Sequence, residues 1–81
     1  MTIDAQRKET IAENVNRILS DRGLSRHWLA VKIDEYDSAI ARVCNATHLC
    51  SADMIAKIAD ALNVSADELL FPRRKKYPKA S

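Results

Sequence analysis

Apolar positions recur along this chain at helical spacing in separate short stretches, each closed by a polar or punctuating residue. Ile11, Val15, Ile18 and Leu19 fall at i, i+4, i+7 and i+8, with charges on the opposite side. Such a stripe is one buried helix face, and it predicts a helix from about Ala5 to Arg22, with Gly23 supplying the left-handed residue that ends it. Ser25 can cap a second helix over about Arg26 to Ile33, its hydroxyl accepting from a backbone N–H that the first turn leaves orphaned. Leu29 and Ile33 recur there at i, i+4. After the polar break Asp34-Glu35-Tyr36, Ile40 and Val43 recur at i, i+3 in a third helix, over about Asp37 to Cys44. Two short helices turned to a shared core and joined by about three residues match the helix-turn-helix arrangement. It presents Asp37-Ser38 outward, and it places Ile40 fully buried between helices two, three and four.

The remainder follows the same logic. Asn45 to Cys50 reads as a loop, and Ser51 caps a fourth helix whose first turn holds Asp53, well placed against the helix dipole. Met54, Ile55, Ile58, Ala59 and Leu62 give it a broad apolar face, and Asn63 can terminate it. Ser65 and Glu68 have the spacing of a capping box and open a short fifth helix. Leu69, Leu70 and Phe71 pack that helix down, and Pro72 stops it. Beyond Pro72 the periodicity ends. The expectation is an all-α domain of five helices over residues 5–72, with a disordered basic tail over 73–81.

Composition narrows the picture. Eighty-one residues make one small domain, and one Gly and two Pro leave little material for many tight turns. No run of about 18 apolar residues exists to span a membrane, and the first residues lack a signal peptide's apolar segment. A cytoplasmic chain is expected, with Cys44 and Cys50 as reduced thiols. The net charge of +2 conceals a division. Arg73, Arg74, Lys75, Lys76 and Lys79 give the tail five cations and no acid, whereas the first 72 residues hold eight cations against eleven acids, a net of −3. An acidic body with a basic tail does not grip a polyanion over its whole surface.

Catalytic and metal chemistry find little support. Cys44, His48 and Cys50 lie within seven residues of one another, but a structural zinc site takes four ligands and no fourth is evident. Cys44 reads more simply as a small buried hydrophobe. There is no nucleophile with a base and an orienting third group, and no glycine-rich phosphate loop. Neither an enzyme nor a cofactor is expected.

Taken together, Gly23-Leu24-Ser25, Leu29-Ala30, Ile33, Ile40, Arg42, Ile58-Ala59, Ala61-Leu62, Val64-Ser65 and Asp67-Glu68-Leu69-Leu70 resemble the Cro and phage-repressor (lambda repressor-like, XRE-type) helix-turn-helix family. The register holds without a gap over roughly residues 11–71. The resemblance implies a five-helix bundle whose third helix enters the DNA major groove. The chain departs from the family pattern at six places. Asp34 stands where the family usually has Gly, and Tyr36 where it has a small polar cap. Asp37 occupies a position that often bears an amide. Ala46 and Cys50 replace a common Gly and Pro. Trp28 stands where many members carry the Glu of a capping box, and it is expected to cover the Leu24 and Leu29 edge of the core.

By that resemblance the base-facing residues are Asp37, Ser38 and Arg42, with Ala41 and Asn45 beside them. Arg42 can bond bidentately to guanine, and Asp37 can accept from a cytosine amino group. Arg26, His27, Tyr36, Thr47 and His48 would contact phosphate, as would Arg73, Arg74, Lys75 and Lys76. The implied partner is double-stranded DNA, bound by a homodimer because paired half-sites double a small interface. Leu70 and Phe71 are the candidate dimer contacts. Asp34, Glu35 and Asp37 compose an acidic rim that a polyanion would meet first. That rim favours a second reading, a protein-interaction module of antitoxin or inhibitor type that docks a basic protein partner.

Overall fold

The structure, a computed structural model, describes residues 3–47 and 49–72; the tail over 73–81 lies outside the described residues. Five helices follow in order: α1 (Ile3–Asp21), α2 (Arg26–Lys32), α3 (Asp37–Cys44), α4 (Ala52–Leu62) and α5 (Ala66–Leu70). No strand occurs among the described residues, and none of their helices is long and apolar enough to cross a membrane. The expected all-α helix-turn-helix architecture is thus the observed one.

The predicted stripes are the core. Ile11, Val15, Ile18 and Leu19 of α1 meet Leu29, Ile40, Val43, Ile55, Ile58, Leu62 and Leu69 in one apolar cluster. Ile40 is fully buried as expected. Its helix, however, packs chiefly on α1 and α2 rather than on α4. Trp28 and Leu24 lie against the edge of the same cluster, as the sequence suggests. Phe71 departs from expectation. Leu69 is fully buried and Leu70 partly so, but Phe71 is 52% exposed and lies under the Arg7 guanidinium, 5.4 Å from ring centre to charge.

Four helices end by the same device. An N–H two or three residues past the helix end reaches back five residues: Leu24 to Leu19, Glu35 to Ala30, Thr47 to Arg42 and Val64 to Ala59, at 2.8–3.1 Å. The residue before each donor takes a left-handed φ: Gly23 (67°), Asp34 (60°), Ala46 (60°) and Asn63 (59°). This closure satisfies carbonyls that a helix end leaves orphaned. Asp34 and Asn63 suit it because a short polar side chain tolerates that conformation. Ala46 does not, and it stands where the resemblance places a common Gly.

Caps at the N-termini are mixed. The Ser25 hydroxyl accepts from the Trp28 N–H at 2.9 Å, and the Ser51 hydroxyl from the Met54 N–H at 3.1 Å. The capping box anticipated at Ser65 and Glu68 does not form. The Ser65 side chain makes no cap bond, and the Glu68 N–H donates instead to the Ser65 carbonyl at 3.1 Å. In a helix of five residues a backbone turn already supplies that acceptor.

Polar side chains of α1 join the bundle. Asn14, 3% exposed, donates through Nδ2 to the carbonyls of Leu69 and Phe71, each at 2.9 Å. Asn16 Nδ2 donates to the Cys44 carbonyl at 3.0 Å, and Arg22 donates to the Leu62 carbonyl. The carbonyl ends of α5 and α3 are therefore held by α1, and that of α4 by Arg22 just beyond it. No buried side-chain nitrogen or oxygen among the described residues lacks a partner.

Ala46 yields a direct test. An L-residue with a Cβ in the left-handed region is strained by about 1–2 kcal/mol, while glycine loses more chain entropy on folding. Ala46→Gly is expected to stabilise the domain by about 0.5–1 kcal/mol in chemical denaturation. An unchanged or lowered midpoint would show that the backbone there is not left-handed.

Candidate nucleic-acid interface

The α2–turn–α3 unit presents α3 with two distinct faces. Ile40, Val43 and Cys44 point into the core, whereas Asp37, Ser38, Arg42 and Asn45 are exposed and Ala41 is half-buried between them. All five predicted base-facing residues thus lie along one side of one helix or at its end. The inward face fixes the outward one, because α3 cannot rotate without exposing Ile40.

Around this face the structure arranges the other candidates. Arg26 and His27 are exposed on the first turn of α2, and Tyr36, at the N-cap of α3, is 82% exposed. Arg26 Nη2 lies 3.5 Å from Asn16 Oδ1, a long contact that draws it toward α1. Thr47 sits after α3, where its N–H and its hydroxyl both donate to the Arg42 carbonyl, at 3.1 and 3.2 Å. A shallow groove of about 180 Å³ runs beside Arg42, walled by Val43, Leu49 and Met54. His48 lies outside the described residues, as do Arg73, Arg74, Lys75, Lys76 and Lys79.

The acidic rim is not the bare repulsive front that three neighbouring acids suggest. Glu35 Oε2 accepts from Lys57 Nζ of α4 at 3.0 Å, and the same ammonium lies 3.5 Å from Asp53. That hydrogen bond from Lys57 to Glu35 is the largest cause holding the ammonium protonated above its ordinary range. Asp37 is paired too, with His27 Nδ1 lying 2.9 Å from Oδ1 and 3.1 Å from Oδ2. Asp34, exposed in the turn, has no such partner among the described residues. His27 therefore sits on α3's first acid and is not an independent cation held out for phosphate.

Neither pairing was visible in the sequence. His27 and Asp37 lie ten residues apart and Glu35 and Lys57 twenty-two, on different elements. Periodicity within one helix carries no signal for either. The spacing of Asp53 and Lys57 at i, i+4 was the one local hint that Lys57 belongs to a charged group.

The cysteines behave as packing residues. Burial pushes the thiol pKa of both Cys44 and Cys50 above its ordinary value; nearby Arg26 opposes this at Cys44, and Cys44 adds to it at Cys50. A raised thiol is a poor nucleophile at neutral pH.

No protein-family model matches this chain, and no curated protein does. Among solved structures it is similar to the crystal structure of a hypothetical transcription factor, NHTF, from Neisseria. The TM-score is 0.79 at 24% identity, over 89% of this chain and 83% of that one. At that identity the likeness establishes a shared fold.

Proposed function

We propose that the chain is a sequence-specific DNA-binding transcriptional regulator that lays α3 in the major groove. In this reading it is a small cytoplasmic repressor of phage or mobile-element type, acting as a homodimer without catalysis or cofactor. The observation that carries the reading is the division of α3. Ile40, Val43 and Cys44 anchor it, and Asp37, Ser38, Arg42 and Asn45 form an exposed hydrogen-bonding row. A helix so fixed can offer its polar row to base edges. Arg42 then donates to guanine and Asp37 accepts from cytosine, while Arg26, Tyr36 and His48 contact phosphate alongside the tail, and Thr47, with both its donors on the Arg42 carbonyl, closes the end of α3. The shared fold with a protein titled a transcription factor supports this assignment.

One observation favours the second reading, a protein-docking module of antitoxin or inhibitor type. Val31 is 66% exposed on α2 and Tyr36 82% exposed beside it in the turn, and aromatic residues are enriched where proteins meet. Mobility shifts with the DNA upstream of the chain's own gene distinguish the two. If no DNA is retarded at low salt, the docking reading replaces the first.

For readout, Arg42→Ala is expected to cost about 1–3 kcal/mol on a specific site and to relax preference at one base pair. Equal losses on specific and random DNA would make Arg42 a phosphate contact.

For assembly, Leu70 and the exposed Phe71 are the proposed two-fold contact. Sedimentation of Phe71→Glu should give a folded monomer. An unfolded chain would assign Phe71 to the core, and an unchanged assembly would remove it from the interface.

For the tail, the body's net charge of −3 leaves long-range attraction largely to five cations beyond Pro72. Five full phosphate contacts would steepen the log–log salt slope by about 4.5, at about 0.9 per contact. Partial contacts by a terminal segment reduce that figure. Truncation after Pro72 should leave the fold intact, weaken DNA binding and flatten the salt dependence by about 2–4 per chain. Parallel salt plots with equal affinities would exclude the tail from binding.

A further inference from the structure

We infer that His27 is the positioning residue for Asp37, and that the two together read the exocyclic amino group of a cytosine. This rests on the DNA-binding reading above and specifies one position of it. His27 is exposed on the first turn of α2 and Asp37 on the first turn of α3, so the contact spans the two helices of the motif. A carboxylate only accepts, so the Nδ1–H donates, and it lies within hydrogen-bond distance of both oxygens, at 2.9 and 3.1 Å. No other group among the described residues is bonded to the Asp37 carboxylate.

The exposure of the pair decides what it is for. With the two side chains 72% and 67% exposed, such a contact adds little to folding. It does restrict the Asp37 rotamer. An unrestrained aspartate at the front of a DNA-facing helix would sample several directions, most of them repelled by phosphate. Held from the α2 side, the carboxylate keeps its remaining lone pairs for a donor in the groove. The neighbouring charges leave the pair to itself: Lys57 of α4 is engaged by Glu35, and Arg26 of α2 lies against Asn16 of α1. In the major groove cytosine presents an amino donor, and a carboxylate is its matching acceptor.

The test is selection from a randomised double-stranded DNA library by the full chain and by variants at these two positions. Circular dichroism checks that each variant is folded. The wild type should enrich a site with one position favouring cytosine by about fivefold or more over other bases. Asp37→Ala should abolish that preference, and Asp37→Asn should move it toward adenine, the base an amide matches. His27→Ala should reduce it several-fold with little change in thermal midpoint. His27→Asn, whose Nδ2 can donate from nearly the same place, should restore it. Undiminished cytosine preference in His27→Ala overturns the positioning role. A selected site in which Asp37→Ala alters no position overturns the readout and leaves DNA binding standing. If the wild type enriches no sequence, the DNA reading itself fails and this inference fails with it.

Discussion

The arrangement rests on α1 and Arg22, the residue just beyond it, supplying hydrogen-bond donors to the carbonyl ends of three other helices. An α-helix leaves its last four carbonyls without internal partners. In helices of eight, eleven and five residues these are a large share of all the backbone acceptors. Asn16 bonds the end of α3, Arg22 that of α4, and Asn14 that of α5. A cation at a helix C-terminus also opposes the negative end of the dipole. Each such bond adds only about 0.5–1.5 kcal/mol net, but an abandoned buried partner costs about 1–3 kcal/mol. The bonds therefore specify where the short helices sit as much as they stabilise them.

That fixing of α3 connects the fold to the proposed function. With its C-terminal carbonyl on Asn16 and Ile40 in the core, the helix turns Asp37, Ser38, Arg42 and Asn45 outward together. The electrostatics of this face are local. Exposed ion pairs contribute little to stability, so the Glu35–Lys57 and His27–Asp37 contacts matter chiefly for the direction and net charge of what an approaching ligand meets. An acidic rim with two of its acids held by cationic or imidazole partners is a patterned surface rather than a uniformly bare one.

Much of this was legible along the chain, where the controlling interaction is local. The α1 and α4 stripes, the caps at Ser25 and Ser51, and the left-handed closures at Gly23 and Asn63 all depend on residues within one or two turns. Periodicity and residue type therefore report them directly. The two faces of α3 followed for the same reason, since a 3.6-residue period assigns Ile40 and Arg42 to different sides. The local signal at Ser65 misled, because a helix so short closes its first turn through the backbone without help from a side chain.

What the tertiary structure alone decided involves partners distant in sequence. Asn14 is polar by type, yet it is buried, because two carbonyls of the α5 terminus, 55 and 57 residues away, converge on it. Ala46 takes a left-handed conformation against its own preference, at the closure by which the Thr47 N–H reaches back to Arg42. Phe71, apolar by type, is left half outside beneath Arg7, since Leu69 already fills the site beneath α5. His27 was expected to face phosphate and instead holds Asp37, because the turn between α2 and α3 brings their first turns together. By itself the sequence determined which elements form and which side of each is apolar, since those depend on neighbours in the chain. Which polar group meets which was settled only by the packing of helices that are far apart along it.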